Sequence, residues 1–215
     1  MKHNRSKYYS ITIVFICAIA FTILFPFQKL EYVFAYSEET LNIAFIDVGQ
    51  GDSSLLSTSN GFDILIDGGP SYSGDEVLSY LNAKRVDDLE VVVISHQDAD
   101  HIGGLIDVFQ SPIEIDSVIY NGNSCSTNTC QSLWSEVAKR GIIPIIVESG
   151  NIFNWGPITT SILNPQITPT GDENEDSVVM EVSFSDVGML YTGDIGFSTE
   201  KTLLNQGVLN PVDIL

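Results

Sequence analysis

The sequence predicts an α/β domain in which mixed β-sheets are layered against helices. Three observations favour this class: short β-branched runs such as residues 91–94, segments with helical spacing of apolar residues such as 75–84, and turn signals between them. Hydrophobic residues make up 44% and charged residues 17% of the 215-residue chain, a balance typical of a packed core. We therefore expect one globular domain with an N-terminal appendage.

The predicted elements of the first half begin with a meander of strands, in which Asn60-Gly61 is a turn signal. These strands are predicted at residues 41–47, 53–57 and 63–67. A helix over 75–84, a buried strand over 91–94 and a short helix over 103–109 follow.

The second half continues the alternation of strands and helices. The predicted strands lie at 117–120, 142–147, near 152, at 159–163, 177–184 and 189–192, and from 212 onward. The predicted helices cover 131–140 and 198–206. Residues 164–176 hold two prolines, a glycine and several acids, and are predicted to form a loop.

The N-terminal segment differs from the rest of the chain. Three basic residues, Lys2, Arg5 and Lys7, precede the uncharged run 10–27, as in a secretory signal or a membrane anchor. Residues 1–35 are interpreted as one or the other, with Val33-Phe34-Ala35 suited to cleavage, and the domain as 36–215. Either outcome predicts an extracytoplasmic domain, secreted or held at the membrane by its N-terminus, since basic flanks stay inside.

Cysteine usage fits an exported domain. Cys17 lies in the apolar run, whereas Cys125 and Cys130 close the short stretch Cys-Ser-Thr-Asn-Thr-Cys. Outside the cytoplasm this pair favours a disulfide over two free thiols. The formal net charge of -19 disfavours broad electrostatic binding to nucleic acid, although metal ions at a local site can still attract a phosphate.

The segment Ile94-Ser95-His96-Gln97-Asp98-Ala99-Asp100-His101-Ile102-Gly103-Gly104 carries the candidate chemistry. It follows an apolar strand and contains two imidazoles and two carboxylates, which is a good ligand set for a divalent metal. Every histidine beyond the N-terminal segment lies in it. A metal-binding segment is therefore favoured over a solvated polar loop. We expect alternate side chains of the segment to face one point.

The pattern His-x-Asp-x-Asp-His-x-Gly-Gly resembles the metal motif of the metallo-β-lactamase superfamily, and more narrowly the domain of ComEC-type DNA-uptake proteins, which have Asp at the position of Asp98. Four further segments resemble that group and occur in its order. They are 45–53 (Phe-Ile-Asp-Val-Gly-Gln-Gly-Asp-Ser), 65–69 (Leu-Ile-Asp-Gly-Gly), 174–179 (Asn-Glu-Asp-Ser-Val-Val) and 191–194 (Tyr-Thr-Gly-Asp). The resemblance implies an αββα sandwich of mixed sheets with outer helices.

The resemblance also implies a role for each motif residue. His96 and Asp98 would serve one metal position, and Asp100 and His101 the second. Asp194 would lie between the two positions. Asp100 would also be the catalytic residue that holds the attacking water.

Four other residues have supporting roles by the same resemblance. Asp47 and Asp67 would orient ligands or turns; Asp47 fits an ordinary turn aspartate equally well. Asn174 and Ser177 would hold substrate or a ligand, unless Ser177 only begins a strand. The cofactor would be one or two divalent ions, zinc or manganese, since the carboxylate-rich set suits both.

Two functions are compatible with these residues. The first is an exported metal-dependent hydrolase of phosphodiester or related ester bonds, acting on a small-molecule ester or a nucleic acid, with nuclease activity suggested by the resemblance. The alternative is a non-catalytic exported binding module on the same fold.

The C-terminus is also interpreted through the resemblance. The group's next motif contains Lys and then His-His-Gly, whereas this sequence ends within the apolar run 211–215. We therefore expect the domain to be C-terminally incomplete, as a fragment of a longer protein rather than a reduced domain.

Overall fold

Two β-sheets packed face to face form the centre of the protein. The computed structural model describes residues 39–215. The predicted signal or anchor segment and Cys17 lie outside the described residues. Within 39–215, no helix is both long enough and apolar enough to cross a membrane.

The first sheet has six strands in the order β1-β2-β3-β4-β5-β6. Its strands are β1 (Leu41–Phe45), β2 (Ser54–Thr58), β3 (Asp63–Ile66), β4 (Asp88–Ile94), β5 (Glu114–Tyr120) and β6 (Ile145–Ile146). The first three strands pair antiparallel, and β3 to β6 pair parallel. The sheet is therefore mixed, as predicted.

The second sheet is antiparallel and has four strands in the order β10-β9-β8-β7. Its strands are β7 (Ile152–Trp155), β8 (Ile158–Asn164), β9 (Val179–Phe184) and β10 (Val187–Tyr191). The backbone near Ile214 adds a single parallel bridge to Met189 at the β10 edge.

Five helices complete the described fold. They are α1 (Gly74–Lys84), α2 (Ala99–Ile102), α3 (Leu105–Gln110), α4 (Asn128–Lys139) and α5 (Phe197–Gln206). Apolar residues of α1, α3 and α4 are buried against one face of the first sheet, whereas α5 covers a small cluster containing Leu163 and Val179 of the second. The order of layers is helix, sheet, sheet, helix, which confirms the predicted αββα class.

Successive side chains of β3 and β4 point to opposite faces of the first sheet, so each strand contributes to the apolar core on both faces. Leu65 and Val92 pack toward the helices, while Ile64 and Val93 pack between the sheets against residues such as Met180. Because both faces are covered, these strands are continuous apolar runs, as expected for buried parallel strands.

The local structure of the metal motif differs from the prediction. A short helix was expected at 103–109, but helical structure begins at Ala99 and is divided into α2 and α3 around Gly103 and Gly104. The motif is therefore partly helical. The strand predicted at 142–147 is reduced to the two residues of β6, and no regular strand follows Val212 within the described residues.

Candidate metal centre

Ends of strands from both sheets meet at one edge of the sandwich. The chain leaves β3 at Asp67 and leaves β4 at Ser95. The Ser95 carbonyl accepts the backbone N–H of Val178 at 2.7 Å. Val178 leads into β9, and β10 leads to Asp194. Residues distant in sequence therefore converge here.

His96 follows β4 and is completely buried. Its Nδ1 lies 3.1 Å from the Ser95 hydroxyl oxygen, whereas its Nε2 is buried without a hydrogen-bond partner among the described residues. Burial, followed by the charge of His101, lowers the pKa of His96. The neutral imidazole favoured in this way is the form that binds metal.

His101 lies in α2 and is also buried. Its Nδ1 is 2.9 Å from an Asp67 carboxylate oxygen, and its Nε2 is 3.4 Å from Oδ1 of Asp194. Burial by itself would lower the pKa of His101, but the hydrogen bond and charge of Asp67, with Asp194 and Asp52, raise it to about 9. Without a cation, this imidazole is therefore held in the protonated form at neutral pH.

Asp67 is the buried anchor of the site. Its carboxylate accepts the Ser95 backbone N–H at 2.8 Å and the Ser95 hydroxyl, and it faces Nδ1 of His101. Asp67 has a φ of 55°, a left-handed conformation that Asp tolerates better than most residues. Its carboxylate can thereby fix both the strand end and the imidazole, the orienting role that the sequence predicts.

Three ligand atoms come close enough together to share one cation. The donor atoms of His96, His101 and Asp194 all lie within 4.8 Å of one another, and the two imidazole centroids are 4.1 Å apart. An unpaired, buried Nε2 beside a carboxylate fits a divalent metal, because a buried polar atom without a partner is costly unless a ligand satisfies it.

Asp98 and Asp100 lie at the rim of this group. Oδ2 of Asp98 is 3.7 Å from Nε2 of His96, and its side chain is 46% exposed. Asp100 lies in the first turn of α2, and its carboxylate accepts a hydrogen bond from Gln50 at 3.2 Å. The structure thus brings three of the five predicted ligands into one compact group and leaves these two beside it.

The other predicted residues differ in whether they contact a residue of the centre. Ser177 is buried, and its hydroxyl accepts the backbone N–H of Asp194 at 3.3 Å, so it supports a ligand. Asp47 is exposed and accepts the Gly49 N–H at 3.2 Å, as a turn aspartate does. Asn174 belongs to the loop before β9, and its N–H donates to Asp172 at 3.1 Å.

Two acidic residues of the predicted loop 164–176 make structural hydrogen bonds. Asp176 is buried and accepts the N–H groups of Thr170 and Gly171. Glu175 accepts the Thr199 N–H at 2.8 Å near the start of α5. Each carboxylate satisfies backbone donors that would otherwise lack partners.

The predicted disulfide between Cys125 and Cys130 is confirmed. It lies beside the metal motif, because Gln97, which separates His96 from Asp98, donates to the Asn123 carbonyl at 2.8 Å and accepts from Trp134 at 2.8 Å. Residues on both sides of the segment that the disulfide closes therefore contact the metal-binding loop.

Sequence reasoning missed three residues at this edge: Ser95, Gln50 and Asp52. Ser95 holds Asp67 and contacts His96, and Gln50 holds Asp100. Asp52 lies in the same turn as Gln50, and partial burial raises its pKa, with further effects from the charges of His101, Asp67, Asp194 and His96. The Gly-rich turn 49–52, which contains Gln50 and Asp52, is the feature of the sequence that could have drawn attention to these residues.

Comparison with known proteins identifies the family to which the chain belongs. The family model of the metallo-beta-lactamase superfamily matches residues 46–214. The chain belongs to the metallo-beta-lactamase superfamily.

Curated relatives narrow the resemblance to competence proteins. The chain is 27% identical to Recombination protein 2 of Haemophilus influenzae over 93% of its own length. It is 23% identical to ComE operon protein 3 of Bacillus subtilis over 76%, and 27% identical to Competence protein ComA of Neisseria gonorrhoeae over 80%. It spans only 23%, 23% and 22% of these proteins. The matches agree with a ComEC-type member of the superfamily.

Solved structures show the same fold. The Rm3 metallo-beta-lactamase has a TM-score of 0.54 at 17% identity, covering 81% of this chain and 74% of that one. The metallo-beta-lactamase fold protein YhfI from Bacillus subtilis has a TM-score of 0.50 at 19% identity, covering 72% and 62%.

Proposed function

We propose that this chain is an exported metal-dependent hydrolase that cleaves phosphodiester or related ester bonds. The observation that carries the proposal is the convergence of His96, His101 and Asp194, with the buried Nε2 of His96 lacking a hydrogen-bond partner among residues 39–215. A divalent cation bound there would supply Lewis acidity and lower the pKa of a bound water. Zinc and manganese both suit the donor set.

The surrounding residues prepare the ligands for this task. Asp67 fixes the orientation of His101 through Nδ1, which leaves Nε2 directed at Asp194. Ser177 holds the backbone of Asp194 in turn. Interactions of this kind orient ligands and raise their basicity.

Asp98 and Asp100 complete the proposed site from its rim. We assign Asp98 to the cation position of His96 because its carboxylate already lies 3.7 Å from Nε2. We assign Asp100 to the attacking water, because Gln50 donates to only one of its carboxylate oxygens and the other can accept a hydrogen bond from that water.

The charge distribution bears on the substrate. Residues 39–215 contain five basic residues, Lys84, Arg85, Lys139, Arg140 and Lys201. The Arg140 guanidinium is committed to backbone carbonyls of Phe109, Ile113 and Ser111. Because few cationic side chains remain for a phosphate backbone, the metal centre must provide most of the attraction for a phosphodiester. The names of the competence and recombination relatives favour a nucleic acid.

An extracytoplasmic location is part of the proposal. The Cys125–Cys130 disulfide supports it, because such bonds persist in oxidising compartments and are rare in the cytoplasm. The basic and apolar N-terminal segment supports it independently.

The proposal is tested with the full purified chain in Mn²⁺ or Zn²⁺. Bound metal is measured by mass spectrometry of the native protein, and hydrolysis with bis-p-nitrophenyl phosphate and a fluorescent single-stranded oligonucleotide. We expect His101→Ala to lose both metal and hydrolysis, whereas Asp116→Asn, on an exposed position of β5, retains both. A wild-type chain with neither bound metal nor hydrolysis would favour the non-catalytic binding module instead.

A further inference from the structure

Gln97 lies between two proposed metal ligands, but its side chain points away from them. The backbone at Asp98 is extended, and successive side chains of an extended chain point to opposite sides. His96 and Asp98 accordingly face each other, with 3.7 Å between Nε2 and Oδ2. The side chain of Gln97 is directed to the other side, where it is only 4% exposed.

Both ends of the Gln97 amide have partners in the segment 121–134, which joins β5 to α4. Nε2 donates to the Asn123 carbonyl at 2.8 Å, and Oε1 accepts the indole N–H of Trp134 at 2.8 Å. Trp134 packs in turn against Tyr120 at the end of β5, with ring centroids 4.7 Å apart. A buried amide with partners at both ends holds the backbone that carries it, so this segment fixes the middle of the metal motif.

The disulfide meets the same amide. Sγ of Cys130 lies 2.9 Å from Oε1 of Gln97, and Cys130 is buried. A disulfide sulfur has no proton to donate. Reduction adds two electrons and two protons to the Cys125–Cys130 bond and yields two thiols. Cys130 then presents an S–H donor to an oxygen that already accepts the N–H of Trp134, so the contacts of Gln97 change with the state of the bond.

Opening the bond also frees the chain that positions Asn123. Asn123 stands two residues before Cys125, which the disulfide ties to the first turn of α4. Without this tie, Asn123 is held by its own N–H, which donates to Oδ1 of Asn121 at 3.1 Å. The carbonyl that accepts Nε2 of Gln97 is then less firmly placed, because the segment has regained conformational freedom.

We propose that Gln97 is a positioning residue that couples the Cys125–Cys130 disulfide to the metal ligands on either side of it. The oxidised protein then binds its divalent cation more tightly than the reduced protein. This inference rests on the proposed function, since it concerns the affinity of the same centre. It adds to that function a control by the redox state of the surroundings.

The test is a Mn²⁺ titration of the full chain before and after reduction by a phosphine, with free Mn²⁺ followed by electron paramagnetic resonance. The phosphine takes oxygen from water and becomes a phosphine oxide while the disulfide becomes two thiols. Mn²⁺ is used because it prefers oxygen and imidazole ligands to thiolates, so the new thiols do not compete for it. We expect affinity to fall roughly threefold on reduction, less than for loss of a direct partner of a ligand.

Gln97→Leu removes both hydrogen bonds of the amide at similar volume. It should bind Mn²⁺ roughly tenfold more weakly than the wild type, and with the same affinity in both redox states. Gln131→Leu makes the same change at an exposed position of α4 and should behave like the wild type. Cys125→Ser/Cys130→Ala, which cannot form the bond, should match the reduced wild type.

The indole N–H of Trp134 provides a readout that a purely structural role of Gln97 would not move. In ¹⁵N-labelled oxidised protein, Zn²⁺ should shift this resonance, because the indole donates to the amide between two ligands. The shift should be absent in Gln97→Leu. Trp155 of β7 is the internal control, and its indole resonance should stay unchanged.

Thermal unfolding in chelator shows which proteins are folded. Equal Mn²⁺ affinity of the oxidised wild type, the reduced wild type and Cys125→Ser/Cys130→Ala would overturn the inference. So would a redox dependence that persists in folded Gln97→Leu, and the proposed function would stand in both cases. A wild type that binds neither Mn²⁺ nor Zn²⁺ in either redox state would overturn both.

Discussion

Oδ2 of Asp67 lies 2.9 Å from Nδ1 of His101, and at most 2% of either side chain is exposed. This contact determines which imidazole nitrogen is left for a cation, because Nε2 then faces Asp194 at 3.4 Å. It also links the end of β3 to the helix that carries the metal motif.

Asp67→Asn should weaken both folding and metal binding. Asn preserves the volume and tolerates the left-handed backbone, but it removes a charge that accepts hydrogen bonds from Ser95 and His101. We expect a loss of about 2–3 kcal/mol in the free energy of unfolding, and metal affinity reduced roughly 10–100-fold. Urea denaturation and metal titration measure the two effects.

Asp63→Asn is the matched control on the same strand. Burial raises the pKa of Asp63, so its ionised form is disfavoured in the fold, and removing the charge should leave stability at neutral pH unchanged or slightly higher. Equal destabilisation by Asp63→Asn and Asp67→Asn would show that the His101 contact has no special weight.

The metal-free protein should lose stability as the pH rises from neutrality. Because folding raises the pKa of His101 from 6.5 to about 9, the protonated form is stabilised. This contribution is fully present below pH 6.5 and disappears as the pH passes through about 9. Urea midpoints in chelator should fall across this window, and less so in Asp67→Asn. A midpoint that is flat or rises would contradict the assignment.

Gly51→Ala should be much more damaging than Gly61→Ala. Both glycines have positive φ, but an added Cβ meets the Asp100 carbonyl at Gly51 and nothing within 4 Å at Gly61. We expect about 1–2 kcal/mol from backbone strain in each variant, and a further 1–3 kcal/mol from the clash in Gly51→Ala alone. Metal affinity should fall only in Gly51→Ala. Similar unfolding curves for both would mean that the turn moves freely.

Removal of the disulfide should lower stability moderately. A loop as short as Cys125–Cys130 is expected to contribute about 2 kcal/mol by restricting the unfolded chain. The double variant Cys125→Ser/Cys130→Ala should show this loss in urea denaturation, and reductant should then have no effect. Because Gln97 contacts Asn123 beside the closed segment, metal affinity should also decrease slightly. Unchanged unfolding of the wild type in reductant would argue against the bond.

The sequence by itself was sufficient for the fold class. The apolar strand before His96, the helical spacing in 75–84 and the glycine turns are local signals, and each element they predict is found within a few residues. It also singled out Asp67, His101 and Asp194 as site candidates, because each lies in a segment that resembles a motif of the superfamily. The kinds of side chain that can bind a metal, imidazole and carboxylate, are visible in the sequence without tertiary information.

The direction of each side chain was decided only by the tertiary structure. The sequence interpretation assumed an extended turn in which alternate residues face one point, but Ala99–Ile102 is helical. Successive residues of a helix point about 100° apart, so Asp100 faces Gln50 while the adjacent His101 faces Asp67 and Asp194. The turn that carries Asp52 lies beside the centre because its carbonyl accepts the backbone N–H of Gly69, a long-range contact that no local pattern encodes.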